Sequence, residues 1–239
     1  MSSQQAITEM FDDISPRYDF LNHLLSFQID KVWRRKTSRL VAKYQPTAIL
    51  DVATGTADLA IRMAKDLPTA TITGVDLSKK MLAIGKQKID KKRLGQRIML
   101  TTADASHLPF EDNCFDAVTV AFGVRNFEDL EAGLREMLRV IKDNGLIAIL
   151  EFSQPKKGIV RWPYKLYSKH ILPKVGHVFS GHRTAYTYLP SSIEAFPESD
   201  AFVQTLKRLG LTQTNKRPFM GGIATLYQGC AQKKPLTSQ

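Results

Sequence analysis

The sequence predicts an α/β fold, a Rossmann-like sheet of seven mostly parallel strands with helices on both faces. Three observations predict it. From Ala48 onward, short apolar runs alternate with segments of helical period. The runs are almost unbroken in Ile, Val, Leu and Ala, as strands covered on both faces are. Several of them end on an acid, on the side where an open parallel sheet places its ligands.

Residues up to about 45 read as helical. Ile7, Met10, Phe11 and Ile14 recur at helical spacing, and Ser15-Pro16 is expected to break the run. A second helix is expected from about Gln28 to Tyr44, ending before Pro46. Ala48 to Ala53 reads as the first strand, with Leu59, Ile61, Met63 and Ala64 in the helix after it. Thr71 to Asp76 reads as the second strand, followed by a helix from Ser78 to Ile89 with Ser78 as its N-cap. Arg97 to Thr102 and Phe115 to Phe122 read as the third and fourth strands. A helix from Leu130 to Ile141 precedes a fifth strand, Gly145 to Glu151. A helix from about Pro197 to Leu209 stops at Gly210, and strands Leu211 to Lys216 and Ile223 to Ala231 close the sheet. The expected organisation is one domain over 1–239, with a helical cap over 1–45 and an insertion over 152–196.

Composition narrows the function. The 239 residues carry 34 Lys+Arg against 23 Asp+Glu, a net charge of +11, with 43% hydrophobic residues. That apolar content excludes disorder. Cys114 and Cys230 lie far apart, match no metal spacing, and are expected as buried thiols of a reducing compartment. No apolar stretch reaches the ~18–20 residues of a membrane span, and Met-Ser-Ser-Gln-Gln does not resemble an export signal. A cytoplasmic protein is expected. Its charge leaves nucleic acid, an anionic membrane surface or a negatively charged ligand as partners.

The first strand runs into Asp51-Val-Ala-Thr-Gly-Thr-Ala-Asp58. Gly55 lets the backbone turn tightly and approach a ligand. The full Gly-x-Gly-x-x-Gly fingerprint is missing, which disfavours a pyrophosphate. Asp76 ends the second strand, about 20 residues on, where an acid accepts ribose hydroxyls. Asp104-Ala105, after the third strand, can meet an adenine amino group. The three features together point to an adenosine derivative, and acids without a phosphate cradle suit a cation such as S-adenosylmethionine.

Those residues carry a resemblance. Asp51-x-x-Thr-Gly-Thr-Ala-Asp58 resembles the first motif of class I S-adenosylmethionine-dependent methyltransferases. Tyr18-Asp19-Phe-Leu-Asn22-x-x-Leu-Ser26 with Trp33 resembles the N-terminal signature of the ubiquinone/menaquinone biosynthesis C-methyltransferases. Arg139-Val-Ile-Lys-x-x-Gly145 with Glu151-Phe-Ser153 resembles their second signature. Phe122-Gly-Val-Arg125-Asn126 and Ser180-Gly-His182-Arg-Thr-Ala-Tyr-Thr-Tyr188-Leu-Pro190 match further segments. The chain departs from the pattern at Asp30, usually His, at Ala121, often Ser, and at Lys-Asp-Asn-Gly, normally Lys-Pro-Gly-Gly.

The resemblance implies C-methylation of a polyprenylated quinol, with demethylmenaquinol favoured and the benzoquinol precursor of ubiquinone as the alternative. An RNA-modifying methyltransferase is the alternative of another class. The cofactor contacts implied are Thr56, Asp76, Asp104 and Ala105, and Asp51 and Gly55 complete the expected cofactor site. No metal is expected.

A quinol carbon becomes nucleophilic when its neighbouring hydroxyl loses a proton. Arg125 can hold the developing phenolate, or else pairs with Glu128 or Asp129 at the surface. Asn126 joins it, or caps the next helix. His182 is the best histidine for proton transfer. Tyr18 is expected to contact substrate or cofactor, and Tyr186 and Tyr188 are candidates to line the quinol pocket. From Phe152 to Ile193 there is no acid, and seven Lys+Arg are interleaved with aromatics. Residues 156–183 are therefore expected to meet an anionic membrane. No nucleic-acid motif is present, and a homodimer is left open.

Overall fold

The computed structural model describes residues 3–26, 28–155, 183–197 and 199–232. Strands β1 (Ala48–Val52), β2 (Thr71–Asp76), β3 (Ile98–Thr102), β4 (Phe115–Ala121), β5 (Ile141–Phe152), β6 (Leu211–Phe219) and β7 (Ala224–Ala231) form one sheet in the order β3-β2-β1-β4-β5-β7-β6. The pairs among β1 to β5 are parallel, and β7 runs antiparallel to both its neighbours. Among the described residues there are seven α-helices: α1 (Ser3–Leu25), α2 (Ile29–Ala42), α3 (Asp58–Asp66), α4 (Lys79–Lys91), α5 (Leu130–Val140), α6 (Arg183–Ala195) and α7 (Ser199–Arg208).

Alternate residues of the central strands face opposite layers. Ile49 and Ile72 join Trp33, Val41 and Met63 on the side of α2 and α3. Leu50, Val52, Val118 and Val120 join Leu134, Met137 and Phe202 on the side of α5 and α7. Strand order reverses between β1 and β4, which opens a crevice at their carboxyl ends.

Several elements differ from the sequence expectation. α1 does not break at Ser15-Pro16 but runs through Pro16. Proline cannot donate to the Asp12 carbonyl, and the Ser15 hydroxyl donates to that oxygen instead, at 2.9 Å. β5 begins at Ile141, not Gly145. Its pairing with β4 jumps from Ile141 to Leu146, so Lys142–Gly145 bulge out with Asn144 at positive φ. α7 starts at Ser199, two residues after Pro197, and β6 extends to Phe219. Cys114 is only half-buried, with its thiol donating to the Glu111 carbonyl, whereas Cys230 is buried as expected. His182 and residues 156–182 of the expected basic insertion lie outside the described residues.

Candidate active site

The crevice holds a cleft of about 980 Å³, counted to its open mouth. Asp51, Gly55, Thr56, Asp76, Asp104 and Ala105, all expected at a cofactor site, line this one cleft. Gly55 takes φ +56°, and a Cβ built there meets nothing within 4 Å, because it would project into the cleft. Ala53, Ala57 and Phe122 also hold positive φ around the strand ends. Such strain in non-glycine residues gathers where backbone is shaped around a ligand.

The three acids are held differently. Asp76 accepts the Gly55 N–H at 2.8 Å and the Ser78 N–H at 2.9 Å, which ties the turn after β1 to the start of α4. Burial raises its pKa against those N–H donors. Asp51 accepts the hydroxyls of Thr54 at 2.7 Å and Thr119 at 2.6 Å. Burial pushes it up to about 6, opposed by the two hydroxyls and by Arg34. Asp104 accepts the Ser106 N–H at 2.9 Å and the Gln4 amide at 2.7 Å. Partial burial acts upward on it, but these donors outweigh burial and hold it low.

Gln4 belongs to α1, which lies over the cleft and lines it with Ile7, Thr8, Phe11 and Tyr18. Asp12 takes the Ser78 hydroxyl. Asp19 accepts the Thr56 hydroxyl at 2.6 Å and Lys88 at 2.8 Å, and Lys88 also pairs with Asp58. Asp12, Asp19 and Lys88 were not singled out as site residues, since nothing in linear spacing reports that α1 folds back over α4. Ala121, where the family pattern often has Ser, is part of the cleft wall.

A second pocket of about 680 Å³, counted the same way, adjoins the first. Phe11, Tyr18, Arg34 and Phe122 line both. Burial raises the Tyr18 phenol, with Arg125 and Arg34 acting against it. Arg125 does not pair with Glu128 or Asp129. It crosses to Glu151 on β5, with Nη1 to Oε1 at 2.8 Å and side chains 5% and 0% exposed. Its guanidinium lies over the Phe152 ring, 5.4 Å from the centre, and its buried Nε has no hydrogen-bond partner among the described residues. Glu151 stands in a quoted signature, but sequence reasoning gave it no role.

Asn126 does not cap the following helix. Asp129 does so, accepting the Ala132 N–H at 3.0 Å, while Asn126 Oδ1 accepts the Tyr188 hydroxyl at 2.9 Å. Tyr188 lines the second pocket as expected. The side chain of Tyr186 lies outside the described residues. Asp30, at the position of the departure from His, is buried and accepts His23 Nδ1 at 2.9 Å, the Ser26 hydroxyl at 2.7 Å and Arg34.

The residues of the cleft fit S-adenosylmethionine. Acids end neighbouring strands, the Gly55 turn leaves open space, and among the described residues Arg34 is the one lysine or arginine in the cleft lining.

The ubiE/COQ5 methyltransferase family model matches residues 1–231. A demethylmenaquinone methyltransferase of Bacteroides fragilis is 42% identical over 223 residues, 93% of this chain and 91% of that protein. A ubiquinone/menaquinone biosynthesis C-methyltransferase of Geotalea daltonii is 44% identical over 227 residues, 94% of this chain and 96% of that one. Two solved structures share the fold. The [4+2]-cyclase SpnF gives a TM-score of 0.69 at 18% identity over 98% of both chains. An S-adenosylmethionine-dependent methyltransferase of Aquifex aeolicus gives 0.59 at 15% identity, over 81% of this chain and 88% of that one. A family match over nearly the whole length, on a sheet whose crevice fits the methyl donor, has one conclusion: the chain belongs to the ubiE/COQ5 methyltransferase family.

Proposed function

We propose that this enzyme transfers a methyl group from S-adenosylmethionine to a ring carbon of a polyprenylated quinol, converting demethylmenaquinol to menaquinol. The observation that carries the reading is the wall of Phe11, Tyr18, Arg34 and Phe122 shared by two adjoining pockets. One pocket fits the donor, and the other presents a buried guanidinium. The names of the Bacteroides fragilis and Geotalea daltonii relatives support the quinol. The second name favours a further reading, in which the benzoquinol precursor of ubiquinone is also methylated.

When bound, the cofactor supplies an electrophilic methyl group. Asp51, Gly55, Thr56, Asp76, Asp104 and Ala105 hold it, and α1 closes over it and excludes water. Arg125 keeps its proton and so is no base. Arg125 lines the second pocket, and its charge stabilises the phenolate as the quinol oxygen loses its proton, which makes the adjacent carbon nucleophilic. Tyr18 and Asn126 orient the ring at the boundary between the pockets. His182 is proposed as proton carrier on the sequence reading alone.

In this reading 1–239 works as one domain, with residues 1–45 as its cap, at the cytoplasmic face of the membrane that holds its substrate. No described helix is long and apolar enough to cross a membrane. The test is an assay with labelled methyl donor and each demethylated quinol. Methylation of the naphthoquinol supports the proposal, and methylation of the benzoquinol alone overturns the substrate assignment.

A further inference from the structure

α2 buries Trp33, Arg34, Thr37, Ser38 and Val41 against the sheet and α3. The opposite stripe is exposed and consists of Lys31, Val32, Arg35, Lys36, Arg39 and Lys43. Five of these six side chains are cations. The only acid of α2, Asp30, is buried on the inner side. Among the described residues none of the five cations lies within 4 Å of a carboxylate, although Arg39 acts on Asp66 at longer range, whereas Lys86, Arg135, Lys142 and Arg208 on other surfaces all do.

The stripe is continuous with the turn joining β6 to β7. Lys36 Nζ lies 5.0 Å from the centre of the Phe219 ring, and Arg217 lies 5.9 Å from the same ring. Beside them Met220 is 49% exposed, as is Val32. Two large apolar side chains thus stand in water within a field of six cations. The location is specific as well. The first two turns of α2 carry Asp30 and Arg34 into the second pocket, and Trp33 packs on Phe122 and Phe152, at the carboxyl ends of β4 and β5. The patch therefore begins at the pocket and extends along the flank of the molecule.

We propose that the outer face of α2, with Arg217 and Met220, docks on an anionic lipid bilayer and sets the second pocket at the membrane surface. The surface is distinct from residues 156–183. The proposal rests on a substrate whose polyprenyl tail stays in the bilayer. Charge complementarity selects the partner: lysines and arginines draw the anionic headgroups, and Val32 and Met220 enter the interface. An acidic protein or a nucleic acid would meet the same charges, but neither explains Val32 and Met220 standing exposed among them.

The experiment compares three full-length proteins: wild type, Lys31→Glu/Arg35→Glu/Lys36→Glu, and a control of equal net charge, Lys91→Glu/Lys92→Glu/Arg93→Glu. The control changes exposed cations at and just after the C-terminal end of α4, the end remote from the carboxyl ends of the strands. Vesicle flotation is measured with neutral phosphatidylcholine and with phosphatidylcholine containing phosphatidylglycerol. Rates are measured with a short-chain quinol in solution and with a long-chain quinol in the vesicles. The expected result is salt-sensitive binding of wild type and control to anionic vesicles only. The α2 variant should bind on the order of a hundredfold more weakly. It should keep its rate on the short-chain quinol and lose most of its rate on the embedded one. Flotation of the α2 variant equal to wild type, equal loss in the control, or retention of wild type by RNA but not by vesicles would overturn the proposal. Absence of methylation of either quinol by wild type would instead overturn the proposed reaction, and the flotation result would still be read.

Discussion

Arg125 and Glu151 form an ion pair sealed from water, 2.8 Å between Nη1 and Oε1, that joins the loop after β4 to the end of β5. Glu151 also accepts the Arg125 N–H at 3.2 Å and the Phe152 N–H at 2.8 Å, so the carboxylate fixes both the side chain and the loop that carries it. The guanidinium is thereby held with Nε unspent.

This pair separates stability from chemistry. Glu151→Gln leaves a buried cation without its counter-charge, a loss of ~3–5 kcal/mol. Arg125→Met/Glu151→Gln removes both charges and should recover much of that stability in urea unfolding. Its kcat should nonetheless stay ~10²–10³-fold below wild type, because the charge proposed to stabilise the phenolate is gone. Recovery of activity along with stability would show that Arg125 serves packing alone.

Asp51 makes stability depend on pH. Its folded-state pKa of about 6 lies above an unfolded value of ~4. Between those values the folded chain binds more proton, so this residue costs stability as pH rises from ~4 through ~6, on the order of 3 kcal/mol, and nothing further above. Asp51→Asn keeps an acceptor for one threonine and a donor for the other. The stability gained by Asp51→Asn should grow across that window and level off by pH 7, by unfolding at each pH. Cofactor affinity should move the opposite way. The ionised carboxylate favours a cationic ligand, so wild-type binding should tighten through pH ~6 and the variant should not follow.

Gly55→Ala tests the turn. A left-handed alanine costs ~1–2 kcal/mol, and its methyl group stands in the open space of the cleft proposed to hold the cofactor. Calorimetric binding of S-adenosylmethionine should weaken at least ~10-fold, with only a few degrees lost in Tm.

Asp19→Ala tests the cap. It removes the acceptor for both Thr56 and Lys88, and these groups are partly exposed, so the loss of global stability should be ~1 kcal/mol or less. Hydrogen exchange over residues 3–25 should accelerate, and cofactor release should quicken with it. Unchanged exchange would mean that apolar contacts alone hold α1.

The sequence by itself determined the sheet and the donor side of the site. Strands of Ile, Val, Leu and Ala can be stable only if covered on both faces, and that pattern is local. Asp51, Gly55, Asp76 and Asp104 end consecutive strand or strand-like segments, so a parallel sheet must bring them to one edge. The positions of α2, α3 and α4 followed from period and capping, with Ser78 accepting the Met81 N–H as expected.

Only the tertiary structure decided the partners of charged side chains. Arg125 had acids three and four residues away, yet it pairs with Glu151, 26 residues on, because parallel β4 and β5 place their carboxyl ends together. Asp19 and Lys88, 69 residues apart, meet because α1 packs on α4, and α1 survives Pro16 because Ser15 supplies the missing donor. The charge of +11 is likewise not confined to the acid-free run after β5. α2 also concentrates it, on a face defined only once Trp33 and Val41 are buried. Periodicity fixes which residues share a face of one element. Which faces meet depends on packing between elements distant in sequence, and that is where the second pocket and its buried ion pair arise.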